Sequence, residues 1–218
     1  MPYMVAVGNH ELWFDFAAYR ARFSMPNMSV TQNLYYSLNI GPVHLAIYDT
    51  ETAIDTADVN ATQLAWLQAD LAAANANRAV TPWVVAAGHR PLYCSNTAKM
   101  DCEVFASILR FQCESTFVSS HVDLVLGAHM HGYERAWPTI DGVPVSSNYT
   151  SPAAPVYVVN GAAGNREGNK LPKGAVWSAF QSNAVGYGYL QFAGAHSMTY
   201  SFIESATGNV LDTFTITK

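Results

Sequence analysis

At 218 residues the chain is long enough for one domain to bury a core without disulfide or metal staples. Half of it is hydrophobic, 12% is aromatic and only 12% is charged, which excludes the polar, aromatic-poor composition of disordered proteins. A formal net charge of -5 with no cluster of lysines or arginines argues against a nucleic-acid partner, and apolar runs such as Trp83 to Ala87 fall far short of the roughly 20 residues of a membrane span.

In chain order, Tyr3 to Val7 is a short apolar run stopped by Gly8 and reads as a buried strand; Glu11 to Phe23 then looks helical. Leu34 to Ile40 and Val43 to Tyr48 flank Gly41-Pro42 and read as a strand pair. Between Ala61 and Ala74, Leu64, Leu67 and Leu71 recur three and then four residues apart, the spacing of one helix face. Trp83 to Ala87 ends at Gly88, and Val122 to Leu126 ends at Gly127. With the first run, that makes three expected strands, each followed by a glycine and, within two residues, a histidine. Val156 to Asn160, Tyr189 to Phe192, Met198 to Ile203 and Val210 to Ile216 are strand-like. No repeat or linker interrupts the chain, so the expectation is a single α/β unit over 1–218 with a strand-rich C-terminal portion.

Three sequons, at Asn27, Asn60 and Asn148, hint at passage through a secretory pathway. Of the three cysteines, Cys94 and Cys102 are favoured as a bridge closing a short loop, which leaves Cys113 free or paired outside the chain. The N-terminus has no basic region, apolar core or cleavage site of a signal peptide, so either a leader was removed or the chain begins partway through a longer protein.

The three expected strand ends read Gly8-Asn9-His10-Glu11, Gly88-His89-Arg90-Pro91 and Gly127-Ala128-His129-Met130-His131-Gly132-Tyr133-Glu134-Arg135. Loops at the carboxyl ends of strands are where open α/β sheets gather ligand-binding side chains. Four of the seven histidines fall on these loops. Neutral imidazole is a common ligand for zinc and iron, and an amide oxygen such as that of Asn9 can complete a mixed site. His129 and His131, two apart, face one side of an extended strand but can diverge toward two neighbouring metals on an irregular loop. A glycine before each candidate ligand lets the backbone turn without a Cβ clash.

GNHE, GHRP and GAHMHGYER, in this order and at these separations, resemble the last three of the five sequence blocks of purple acid phosphatases, within the calcineurin-like metallophosphoesterases. Gly161 to Gly168 (GAAGNREG), Trp177-Ser178-Ala179-Phe180 and Gly186-Tyr187-Gly188 extend the likeness over essentially the whole chain. The resemblance implies an α/β fold of two β-sheets packed face to face with helices outside. It implies an acid phosphatase that hydrolyses phosphate monoesters by a metal-bound hydroxide at a dinuclear centre of iron with zinc, iron or manganese. Carried over by position, Asn9, His89 and His129 match ligands of the divalent metal, and His131 matches a ligand of the neighbouring iron. His10 matches the histidine that contacts the phosphate or protonates the leaving group. The expected partner is a small phosphorylated substrate, the expected location secreted, extracellular, lysosomal or vacuolar, and the oligomeric state is left open.

The family's GDxG and GDxxY blocks, which supply an aspartate to the iron, a bridging aspartate and a tyrosinate, have no counterpart: the chain contains no Gly-Asp dipeptide. The expectation is therefore a C-terminal half with its N-terminal part missing, an incomplete second metal site and impaired hydrolysis. The alternatives are a phosphodiesterase or nucleotidase on the same core, or a non-catalytic metal-binding remnant. A closed zinc site of Asn9 with three histidines also remains open. His44, His121 and His196 read as structural histidines, Glu134 and Arg135 as a salt bridge bracing their loop, and Asp49, Glu51, Asp55 and Asp58 as a solvated acidic loop. Arg90 reads equally as a phosphate contact or a loop-shaping residue.

Overall fold

The computed structural model describes residues 3–52 and 61–218; Asp55, Asp58 and the sequon at Asn60 lie outside them. Helices α1 (Ala17–Arg22), α2 (Met28–Thr31) and α3 (Ala61–Ala76) are followed by a helical run over 100–119, in which α-helical turns alternate with wider π turns at Met100–Phe105 and Arg110–Glu114. The strands are β1 (Tyr36–Ile40), β2 (Val43–Ile47), β3 (Trp83–Ala87), β4 (Leu124–Gly127), β5 (Tyr133–Ala136), β6 (Thr139–Ile140), β7 (Val143–Pro144), β8 (Val156–Asn160), β9 (Ser178–Ser182), β10 (Gly186–Ala193), β11 (Ser197–Glu204) and β12 (Val210–Thr217).

Seven strands form one mixed sheet in the order β1-β2-β3-β4-β8-β5-β9, in which β2, β3, β4 and β8 run parallel. A second, antiparallel sheet holds β10, β11 and β12, and β6 pairs with β7. The parallel strands read as continuous apolar runs because both of their faces are covered. Along β3 the side chains alternate between the two faces. Val84 and Ala86 join Leu67 and Leu71 of α3 and Phe117 of the helical run, whereas Trp83 and Val85 join Met198, Tyr200, Phe202, Phe214 and Ile216 of the small sheet. The result is two packed sheets with helices on the outer face of the larger one, the mixed α/β architecture implied by the resemblance. Among the described residues no helix is long and apolar enough to cross a membrane.

Several expectations need correction. Residues 3–8 are not a strand: the Val5 N–H donates to the Tyr36 hydroxyl, which in turn donates to the Val5 carbonyl, so a side chain takes the place of a backbone ladder. The stretch Glu11 to Phe23 is not one helix, because Phe14, Asp15 and Phe16 all take left-handed backbone angles, at φ 54, 54 and 58°. That break turns Phe16 and Tyr19 inward onto Val7 and leaves Trp13 and Phe14 exposed. Asp49 and Glu51 are buried rather than solvated, at 1% and 2% exposure.

Glu134 and Arg135 do not pair with each other. Neighbours on a strand point to opposite faces, so Glu134 accepts from the Ser95 N–H and the Ser178 hydroxyl, while Arg135 pairs with Asp212 of β12 on the side facing the small sheet. Cys94 and Cys102 form the expected disulfide, and Cys113 is a free thiol, buried, with its pKa pushed up to about 12 by desolvation. His44 is structural as expected, held between Asn39 and Asp70 at 2.8 Å each.

Candidate metal and phosphate site

The parallel strands β3, β4 and β8 end at one edge of the large sheet, and the loops after them enclose a cleft of about 570 Å³. Asn9 and His10 enter on the short 3-10 turn Asn9–Glu11, which is closed by the Glu11 carboxylate accepting from the Gly8 N–H at 3.0 Å. His89 follows β3. His129 follows β4 at φ 53°, and the Met130 N–H returns to the Ala128 carbonyl at 2.5 Å, a tight three-residue turn that drives His129 out toward the cleft.

These loops bring three of the expected site residues to one point. His89 Nε2 lies 2.9 Å from Asn9 Oδ1 and 3.0 Å from His129 Nδ1. Both separations are close to the roughly 3.0 Å between adjacent ligands of a six-coordinate ion with bonds of about 2.1 Å. Burial, foremost, and then the neighbouring His129 and Arg90 lower the His89 pKa to about 3. Burial and Arg90 also lower that of His129, against Asp101, which raises it. Both imidazoles are thereby held neutral, the form that ligates metal.

His131 stands apart, half-exposed, with its Nδ1 3.7 Å from Glu167 Oε2. Among the described residues no group of three or more His, Cys, Asp or Glu side chains is arranged to hold a metal ion, so the closed site of Asn9 with three histidines is not formed. The convergent set is two imidazoles and an amide. The donors present fit one cation and do not assemble a second site around His131. His10 is exposed at the cleft wall.

Behind His129 lies a network that reading the sequence missed. Arg90 is buried and grips Glu51 through Nε, at 2.9 and 3.2 Å to the two carboxylate oxygens, and Asp101 through Nη1 at 2.6 Å. Its own backbone N–H donates to Thr50 Oγ1 at 3.0 Å. Burial pushes the Glu51 carboxyl up while Arg90 pulls it down. Arg90 is therefore a bracket within the loop rather than a free phosphate contact. The signal for Asp101 lay in its place beside Cys102, since a Cys94–Cys102 bridge draws it to the site. Lys170, which also lines the cleft, had no such signal.

Gly8 shows how closely these loops pack. A Cβ there would lie 2.9 Å from His89 Nδ1 and 3.0 Å from Cγ and Cε1. Gly8→Ala is therefore expected to push the His89 ring away from Asn9 and weaken divalent-cation binding about tenfold, the scale of losing a supporting contact. Titration calorimetry checks this; unchanged affinity would show that the ring is not held by this contact.

Residues 1–133 match the calcineurin-like phosphoesterase family, and residues 154–213 match the iron/zinc purple acid phosphatase-like protein C family. The chain is 40% identical to acid phosphatase type 7 of Danio rerio over 100% of its own length and 54% of that protein's, and 34% identical to purple acid phosphatase 22 of Arabidopsis thaliana over 96% of its own length and 48% of that protein's. It thus spans about half the length of the curated relatives it matches. In fold it is similar to purple acid phosphatase PPD1 from yellow lupin seeds, with a TM-score of 0.86 at 23% identity, over 99% of this chain and 40% of that one. The histidine loops, the paired sheets and these matches agree that the chain belongs to the calcineurin-like phosphoesterase family.

Proposed function

We propose that this chain carries one cation site of an acid phosphatase acting on small phosphate monoesters, and that hydrolysis by the chain alone is impaired. The observation that carries the reading is the meeting of Asn9 Oδ1, His89 Nε2 and His129 Nδ1 at the carboxyl ends of the parallel strands. Purple acid phosphatases depend on a dinuclear metal centre, which supplies an activated water and neutralises phosphate charge. Here Asn9, His89 and His129 would hold the divalent ion, zinc, iron or manganese, and His131 would contribute to the neighbouring iron. His10, exposed on the cleft wall, would hold a proton for the leaving-group oxygen. Lys170 would draw the anionic ester into the cleft.

We read impairment from the surroundings of His131: its Nδ1 has Glu167 Oε2 at 3.7 Å, and among the described residues no three His, Cys, Asp or Glu side chains gather to hold an ion there. The same observation favours a second reading, a metal-binding domain without catalysis. Metal analysis after loading with zinc or manganese, with hydrolysis of p-nitrophenyl phosphate and of bis-p-nitrophenyl phosphate measured beside the Danio rerio relative, separates them. The expected result is one ion per chain and monoester turnover well below that of the relative. Equal turnover would overturn impairment, no bound ion would overturn the site, diester preference would point to a phosphodiesterase, and one ion with no turnover would favour the second reading. Asn27 and Asn148 are both exposed, and we take them as glycosylation sites of a secreted or lysosomal protein.

A further inference from the structure

We infer that Asp101 is a positioning residue: its carboxylate fixes His129 in the tautomer that turns an Nδ1 lone pair toward Asn9 and His89, and the Cys94–Cys102 disulfide holds Asp101 there. The inference rests on the proposed cation site but makes a claim that is tested without the cation.

Three atoms form a close triangle behind His129. Asp101 Oδ1 lies 2.9 Å from His129 Nε2 and 2.6 Å from Arg90 Nη1, and Nη1 lies 3.1 Å from Nε2. Two assignments compete. If Arg90 donated to Nε2, that nitrogen would carry a lone pair, and it would face the lone pairs of Oδ1 at 2.9 Å. If Nε2–H and Nη1–H both donate to Oδ1, each donor has a charged acceptor, and the 3.1 Å separation is merely the side that joins two donors sharing one oxygen. Around Nε2 the second assignment leaves no two lone pairs opposed, and in cation-free protein His89 Nε2–H can donate to the freed Nδ1. It puts the His129 proton on Nε2 and frees Nδ1, the atom 3.0 Å from His89 Nε2. A carboxylate behind a ligating imidazole sets both the tautomer and the ring orientation.

Asp101 is held from two directions. Arg90, which it accepts from, is itself held by Glu51. Cys102, next in sequence, is bridged to Cys94, and the loop so closed is anchored at Ser95, whose N–H donates to Glu134 Oε2 at 2.8 Å and whose carbonyl accepts from the Lys173 N–H at 3.0 Å. Asn96, Thr97 and Ala98 of the same loop form the cleft rim. The disulfide therefore ties the rim of the cleft to the carboxylate behind His129.

The test is nitrogen-15 NMR of the histidine side chains in cation-free protein, with zinc titration alongside. The expected result is a single Nε2–H tautomer for His129 in the wild type and a mixture in Asp101→Ala, with zinc affinity about 10–100-fold weaker. Asp101→Asn, which keeps an acceptor at nearly the same shape, is expected to retain most of the tautomer and lie between the two, and it decides the matter if the alanine variant does not fold. The double variant Cys94→Ala/Cys102→Ala is expected to show a mixed tautomer with Asp101 still present. An Nδ1–H tautomer in the wild type, or a tautomer unchanged in Asp101→Ala, overturns the inference. Absence of zinc binding by the wild type overturns the proposed cation site instead, while the tautomer still decides the role of Asp101.

Discussion

Asp212→Ala is expected to destabilise the protein by about 3–5 kcal/mol, the range for removing one partner of a buried, hydrogen-bonded ion pair. Asp212 accepts from Arg135 Nε and Nη2 at 2.7 and 2.8 Å and from the Tyr133 hydroxyl at 2.8 Å. Both charged residues are nearly inaccessible, at 7% and 8% exposure, and the guanidinium also lies over the rings of Trp137, Tyr149 and Phe214. Removing the carboxylate strands a desolvated cation between the two sheets. For a chain of this size the loss corresponds to a fall in Tm of roughly 6–20 °C. A thermal melt measures it, and a loss under about 1 kcal/mol would show that water reaches Arg135. The exposed pair Arg20–Asp15, though as short at 2.8 Å, is expected to contribute only about 0–1 kcal/mol, because water screens it.

The contrast explains what could be read from the sequence and what could not. Buried parallel strands such as β3 were legible because sheets covered on both faces need unbroken apolar runs. The loops of His89 and His129 were legible because a histidine just after a glycine at a strand end is an uncommon arrangement in a chain with seven histidines. The first histidine loop was recognised as a motif although the segment before it is not a strand, since side-chain bonds to Tyr36 replace the ladder. Charged residues were the least legible. A sequence shows that Asp49 and Glu51 carry charge but not that an Arg90 from about 40 positions away will pair with Glu51. Glu134 and Arg135 misled for the opposite reason: adjacency in the chain places them on opposite faces of β5. Asp101 stands at the start of the helical run, in a stretch without histidines, and its meaning emerges only when the disulfide holds that stretch against His129.

The second large effect is expected at His89. Its Nε2 faces both Asn9 Oδ1 and His129 Nδ1, so it is the central member of the trio, and no substitution elsewhere removes two of the close approaches at once. His89→Ala is expected to weaken zinc or manganese binding by more than about 100-fold, beyond the ~10–100-fold that loss of a supporting partner brings. His131→Ala should change the same affinity less than about threefold, because that imidazole stands near Glu167 rather than in the trio. His44→Ala serves as the control: it breaks the bonds to Asn39 and Asp70 and is expected to lower stability without touching affinity. Titration calorimetry on the three variants orders them. Were His131→Ala to abolish binding while His89→Ala left it intact, the cation would belong to the neighbouring position, and the convergence of Asn9, His89 and His129 would be a hydrogen-bonded cluster that only resembles a ligand set.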